Sequence, residues 1–394
     1  MNCGHACLRE AMALHFEREE FEDRRRRALE AMAARGLDAL LLFKQESMYW
    51  LCGYDSFGYC FFQCLVLRAD GEMVLTTRAP DLRQAQHTST LEAIRVWVDR
   101  EGIDPALELR GLLAEKGLAG GRLGIEYDSH GLTAANGRRL DAAFDGFAEV
   151  ADASGLINRL RLVKSEAELS YVRSAARLAD AALEAAIGET MPGADEGDIL
   201  AAMQVAVFKG GGDYPGNAFI IGSGRDALLC RYKSGRRRLD QQDQLTLEFA
   251  GVYRHYHACL MRTLLVGEAT ARHRTMHAAC REALAAAENR LEPGMTMGAV
   301  YDVQADVLDR HGMRAHRLNA CGYSLGAVYP PSWMDWPMFF HGNPVQLAPG
   351  MVFFLHMILM DSEAGAAMTL GRTSLITERG SEPLSAAAQG LVVR

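Results

Sequence analysis

Apolar residues in this chain change their spacing near residues 152–158, and one core does not accommodate both patterns. Upstream, short apolar runs alternate with amphipathic stretches. Downstream, long Ala-rich stretches of helical period separate long strand-like runs. The chain has 394 residues, beyond the size at which single hydrophobic cores stop growing. Two domains are therefore expected, at residues 1–155 and 156–394.

In the first segment, residues 16–35 carry Leu29, Met32 and Ala33 at helical spacing, and Gly36 is a stop signal. Residues 37–43 are an apolar run of strand length, and 59–67 with Asp70-Gly71 and 73–77 read as a hairpin. Strand and helix patterns then alternate through 94–98, 107–116, 123–126 and 132–144, which predicts an α/β domain with a mixed sheet. In the second segment a helix is predicted to begin after Lys164, with Ser165 as N-cap and Glu168 completing a capping box. Helical stretches at 197–208, 270–291 and 297–310, and strands across 244–266 and 351–376, predict an α+β domain with helices on one side of paired strands.

A formal net charge of −8 argues against nucleic acid or an anionic membrane as partner, and Arg236-Arg237-Arg238 reads as a solvated turn. No apolar run approaches the roughly 20 residues a membrane span needs. The nine cysteines are irregularly spaced and no signal-peptide apolar region precedes them, so free thiols and a cytoplasmic location are expected. Cys3, His5 and Cys7 lack a fourth ligand and read as a terminal tail rather than a metal clip.

Three clusters carry chemistry. Between Leu247 and Thr263, strand alternation puts His255, His257, Cys259 and Met261 on one face, beside Glu248 on the same hairpin. These groups suit acid–base chemistry, a nucleophile or a metal, and equally a polar edge with Cys259 as a small core residue. The second cluster, Gly322-Tyr323-Ser324-Leu325-Gly326 with Pro330-Pro331-Ser332-Trp333, combines flexible backbone with aromatics. The third is His356 within the apolar run 351–359, either a satisfied core histidine or a proton-transfer group.

In order and separation these clusters resemble the catalytic domain of the creatinase, prolidase and aminopeptidase P family, with its pita-bread fold. Residues 27–32, Gly36-Leu37-Asp38-Ala39-Leu40-Leu41 and Leu51-Cys52-Gly53-Tyr54 resemble the family's N-terminal domain. Val163-Lys164-Ser165-Glu166-Ala167-Glu168 and Leu347-Ala348-Pro349-Gly350-Met351-Val352 resemble the catalytic domain. The family's metallopeptidases hold two divalent ions with two Asp, one His and two Glu. The resemblance places those positions on Glu248, Cys259, Tyr323, His356 and Gly371, so it implies no metal and no other cofactor. Gly211-Gly212-Asp213-Tyr214-Pro215, Glu248-Phe249-Ala250-Gly251 and Tyr329-Pro330-Pro331 with Trp333 are similar to the metal-free ectoine hydrolase and creatinase branch.

What the resemblance implies is a metal-independent hydrolase of a C–N bond in a small zwitterionic amidine, guanidine or cyclic amide. Its expected catalytic residues are His356 for proton transfer, Glu248 as base or nucleophile, Cys259 as competing nucleophile, and Tyr323 as donor to a developing oxyanion or amine. Arg231 or Arg372 would pair with a substrate carboxylate, with His257, Trp333, Asp213 and Tyr214 completing the substrate site. A homodimer is expected, with the apolar loop 333–340 near a neighbour or over the pocket mouth. The alternatives are a divergent Xaa-Pro aminopeptidase or dipeptidase and a non-catalytic ligand-binding protein.

Overall fold

The computed structural model describes residues 13–231 and 233–394; the Cys3, His5 and Cys7 tail lies outside them. The chain divides into two compact units between Arg161 and Leu162.

The first unit contains α1 (Arg18–Ala33), β1 (Ala39–Leu42), α2 (Gln45–Cys52), β2 (Cys64–Arg68), β3 (Met73–Arg78), α3 (Leu82–Thr88), β4 (Ala93–Trp97), α4 (Pro105–Glu115), β5 (Arg122–Ile125), α5 (Ala134–Phe144), β6 (Glu149–Asp152) and α6 (Leu156–Leu162). Its sheet has the order β4-β3-β2-β1-β5-β6. β1 runs antiparallel to β2 and parallel to β5, so the sheet is mixed. Residues 39–43 are apolar throughout because β1 is covered on both faces. Leu41 packs with Leu109, Leu113 and Phe144 of α4 and α5, while Leu40 and Leu42 pack with Met32, Trp50 and Leu51 of α1 and α2. Each such leucine, fully buried, contributes about 2 kcal/mol. The expected boundary at 155/156 falls just before α6, but Leu156 and Ile157 are buried in this unit's core, so most of α6 belongs to the first unit.

Unspecified by the apolar pattern, α2 is held by a buried acid. Glu126 accepts from Phe43 N (3.0 Å), Lys44 N (2.8 Å) and Ser47 Oγ (2.6 Å) at the start of that helix, satisfying donors a helix N-terminus leaves open.

The second unit contains α7 (Glu166–Glu189), α8 (Glu196–Lys209), β7 (Ile220–Ser223), β8 (Asp243–Tyr253), β9 (Tyr256–Val266), α9 (Ala271–Asn289), α10 (Met297–Arg310), β10 (Gly322–Ser324), β11 (Asp335–Met338), β12 (Val352–Asp361), β13 (Ala366–Thr377), β14 (Gly380–Pro383) and β15 (Val392–Val393). Its sheet follows β11-β10-β12-β13-β9-β8-β7, with β14 on β13 and β15 on β9. Alternation along β12 separates the two faces. Phe353, Leu355, Met357 and Leu359 pack with Cys280, Ala283 and Leu284 of α9 and with Val300 and Leu308 of α10. Phe354 and His356 point the other way, onto Tyr323 of β10. The helices thus take one face of the sheet and leave the opposite face to the polar residues. No helix among the described residues is long and apolar enough to cross a membrane.

The capping box forms as expected: Ser165 Oγ accepts from Glu168 N (3.3 Å), and Glu168 Oε2 accepts from Ser165 N (2.9 Å). Glu168 also accepts from Tyr256 Oη at 2.7 Å, tying the first turn of α7 to the start of β9. Ser165→Ala should therefore cost about 1 kcal/mol and Glu168→Ala distinctly more, because it also removes a hydrogen bond from a buried phenol to a carboxylate. Urea denaturation of the two variants checks this; equal costs would show that the Tyr256 bond contributes nothing.

Candidate functional site

The polar face of the second sheet is built from register. Glu248 of β8 pairs with Met261 of β9, Met261 with Gly371 of β13, Gly371 with His356 of β12, and Phe354 with Tyr323 of β10. A row across four strands therefore carries Glu248, Met261, Gly371 and His356; Tyr323, opposite Phe354, and Cys259 on β9 each lie two residues off it. Loops close the row into a cavity of about 420 Å³, lined by Asn217, Arg231, Glu248, Tyr323, Ser332 and Trp333 among others.

Glu248 is 6% exposed. Its Oε1 accepts from Tyr323 Oη at 3.1 Å, and Tyr323 Oη in turn accepts from Trp333 Nε1 at 2.8 Å. Burial raises the Glu248 carboxyl to about 7, while the Tyr323 bond and the Arg231 charge pull the other way. The Tyr323 hydroxyl is pushed well above its ordinary value, chiefly by burial, and stays protonated. The result is a carboxyl poised near neutrality and held by a neutral donor.

His356 is also brought in, its ring 5.7 Å from that of Tyr323. Burial lowers it to about 4, so the imidazole is neutral at pH 7, and its Nδ1 is buried with no partner among the described residues. Cys259 is fully buried. Burial, then the Glu248 charge, hold its thiol well above the ordinary range, opposite to the activation a thiolate nucleophile requires.

Four expected substrate-site residues are engaged elsewhere. Arg372 makes a bidentate ion pair with Glu288 (2.6 and 2.7 Å); strand alternation turns it away from the Gly371 row. His257 is fully buried, with both ring nitrogens taken: Nε2 accepts from Gly216 N and Nδ1 donates to His255 O, each at 2.8 Å. Asp213 accepts from Arg254 N, and Tyr214, 79% exposed, stacks edge-on with Phe208. His255 does not share the strand face either. Arg254 (φ 49°) and His255 (φ 66°) are both left-handed and form the two-residue turn between β8 and β9, so alternation begins only at Tyr256. The pairing of left-handed residues matches the hairpin twist, but neither is the Gly or Asn that would have marked it.

Asn217 is the residue sequence reasoning missed. It lines the cavity and its Oδ1 accepts from Trp333 N at 3.1 Å. It stands just past the Gly211–Pro215 motif, and no periodic pattern marks it.

Comparison with known proteins covers both units. The Creatinase/Prolidase N-terminal domain matches residues 24–163 and metallopeptidase family M24 matches residues 170–378. A Halomonas elongata protein named ectoine hydrolase is 29% identical, with 97% of this chain and 99% of that protein aligned. A Pyrococcus furiosus Xaa-Pro dipeptidase is 25% identical over 58% of this chain and 65% of its own length. Among solved structures, a prolidase from Thermococcus sibiricus superposes with a TM-score of 0.86 at 17% identity, covering 95% of this chain and 99% of that one. A Bacillus anthracis Xaa-Pro dipeptidase gives 0.81 at 21%, covering 95% and 100%.

A metallopeptidase family implies bound divalent ions, and the residues present do not fit them. Hard cations need several ionised oxygen ligands, whereas Glu248, Cys259, Tyr323, His356 and Gly371 offer one carboxyl, a protonated thiol, a protonated phenol, an imidazole and a glycine. Gly371 has no room for a ligand: a Cβ there would lie 2.8 Å from Leu355 O and 2.9 Å from the Phe354 ring. Among the described residues no group of three or more His, Cys, Asp or Glu is arranged to hold a metal.

The raised Glu248 pKa has a consequence for stability. An acid whose folded pKa lies above its unfolded value destabilises the fold increasingly as pH rises from the unfolded pKa to the folded one, here from the usual carboxyl range to about 7. Glu248→Gln should therefore gain stability relative to wild type across that window and no further above it. Urea midpoints at pH 5, 6, 7 and 8 measure this; a constant difference would mean the carboxyl is not desolvated. With both units matched in sequence and fold, this chain is a hydrolase-family protein that belongs to metallopeptidase family M24 and carries a creatinase/prolidase N-terminal domain.

Proposed function

We propose that the protein is a metal-independent hydrolase that cleaves a C–N bond in a small zwitterionic amidine, guanidine or cyclic amide. The observation carrying this reading is Glu248: the one carboxyl among the described residues lining the cavity, raised to about 7 by burial, facing a space of about 420 Å³ with Arg231 in its wall. The end-to-end similarity to a protein named ectoine hydrolase supports the same substrate class.

Chemically, the substrate carboxylate pairs with Arg231, whose planar guanidinium suits a bidentate contact. Tyr323 occupies Glu248 Oε1, leaving Oε2 to the reaction. Ionised Glu248 takes a proton from water, the water oxygen bonds to the electrophilic carbon, the C–N bond breaks, and protonated Glu248 returns the proton to the departing nitrogen. Direct attack by Glu248, with water resolving the covalent intermediate, uses the same atoms. A carboxyl titrating near neutrality suits both proton steps better than His356, which is neutral at pH 7 and absent from the cavity wall. In this scheme Tyr323 acts through Glu248 rather than on an oxyanion, and Cys259 is a core residue.

Turnover should therefore be tested on a panel of cyclic amidines, guanidino acids and Xaa-Pro dipeptides, with chelator and with added manganese. Cleavage of an amidine or guanidine unaffected by chelator is expected; cleavage of Xaa-Pro dipeptides stimulated by manganese would overturn the reading in favour of a peptidase. Glu248→Gln should lower the turnover number about a hundredfold or more. Cys259→Ser should stay within a few-fold of wild type, and loss of activity in that variant would restore the thiol as nucleophile.

A further inference from the structure

His257 makes no contact with the cavity, yet its hydrogen bonds lead there. Its Nε2 faces the Gly216 N–H and must accept; its Nδ1 faces the His255 carbonyl and must donate. The two bonds fix one tautomer and one ring orientation, and burial, which lowers the group to about 4, keeps it neutral. The next residue after Gly216 is Asn217, whose Oδ1 holds Trp333 N at 3.1 Å. Gly216 itself is pressed against that loop: a Cβ would lie 2.8 Å from Ser332 C and O and from Trp333 N. Trp333 is fully buried and has a single side-chain donor, given to Tyr323 Oη at 2.8 Å. An indole only donates, so it occupies the phenol oxygen as acceptor and turns the phenol hydrogen towards Glu248 Oε1, 3.1 Å away.

We propose that His257 is a positioning residue: by holding the Gly216 N–H it sets the 216–217 backbone, which seats Trp333 so that Tyr323 donates to Glu248. Asn217, Trp333 and Tyr323 all line the cavity, whereas His257 acts on it from one layer behind. A misplacement of the order of 1 Å in such a frame costs about a hundredfold in rate.

The contrast between His257→Gln and His257→Leu tests this. A glutamine Oε1 reaches the place of the imidazole Nε2 and accepts from Gly216 N; leucine fills space and accepts nothing. The primary readout is the Trp333 indole N–H resonance in the ¹H–¹⁵N spectrum of the full chain, assigned by its loss in Trp333→Phe. It should shift in the Leu variant and return towards wild type in the Gln variant. On whichever substrate the wild type cleaves, the Leu variant should lose about ten- to a hundredfold in kcat with little change in KM, and Gln should restore most of it. The kinetic effect rests on the hydrolase reading, but the resonance does not: a wild type that cleaves none of the panel, with the resonance shifted in Leu and restored in Gln, would sink the function and leave the positioning role standing. A folded Leu variant with an unchanged Trp333 resonance overturns the proposal, as do equal shifts in Leu and Gln, which would assign the effect to ring packing. Should the Leu variant fail to fold, His257→Asn, too short to reach Gly216 N, takes its place in the same contrast.

Discussion

Desolvation of one carboxyl governs this site. Glu248 lies on a strand whose other face is packed by helices, under loops that leave it 6% exposed, and among the described residues no guanidinium or ammonium bonds it directly. A buried carboxylate without a bonded cation is costly, so the group titrates near 7 instead of in the ordinary carboxyl range. The single bond from Tyr323 recovers part of that cost without neutralising the charge. A full ion pair would have held the group permanently ionised and removed it from proton transfer at neutral pH. Arg372 illustrates that alternative on the opposite face of the sheet, where its bidentate pair with Glu288 has no link to the cavity.

The fold was readable where local chemistry and burial agree. The capping box at Ser165 needs only two side chains and one helix start, and the long strands announce themselves by runs that are buried on both sides. Ala39 to Phe43 is apolar throughout for that reason. What escaped was whatever depends on a partner distant in the chain. The helix at Gln45–Cys52 is held by Glu126, over 70 residues later, which sequence pattern does not reveal. The β8–β9 turn uses Arg254 and His255 in a conformation usually left to Gly or Asn, so period-2 counting placed His255 on a face it does not share.

The site was legible in part, for the same reason. Glu248 and Tyr323 converge because strand register brings their strands to one face, and the loops carrying Trp333 and Arg231 close over them. Residue type alone does not say whether a polar side chain serves the cavity or the scaffold. His257 and Asp213 both sit in chemically suggestive motifs, and both are spent on backbone N–H groups, of Gly216 and Arg254. Asn217 makes the converse case: an ordinary loop residue in sequence, it holds the Trp333 backbone at the cavity wall.

The replacements along the sheet are consistent with one another electrostatically. In the resemblance drawn from sequence, the five corresponding positions carry four carboxylates, a cluster tolerable only while cations lie among them; without cations, like charges a few ångströms apart force protonation or repulsion. Here the five positions hold a single ionisable carboxyl, and each of the other four is neutral at pH 7 by a different route. Cys259 and Tyr323 have pKa values pushed up by burial, His356 has its pKa pushed down by burial, and Gly371 has no side chain, the Phe354 ring lying where one would begin. Restoring one carboxylate alone would therefore place a second negative charge beside Glu248 and drive its pKa further up, so the metal-binding chemistry is not recoverable one residue at a time. The same argument explains why Tyr323 is a useful replacement: a phenol protonated at all physiological pH values supplies a hydrogen bond to Glu248 where a cation would have supplied charge.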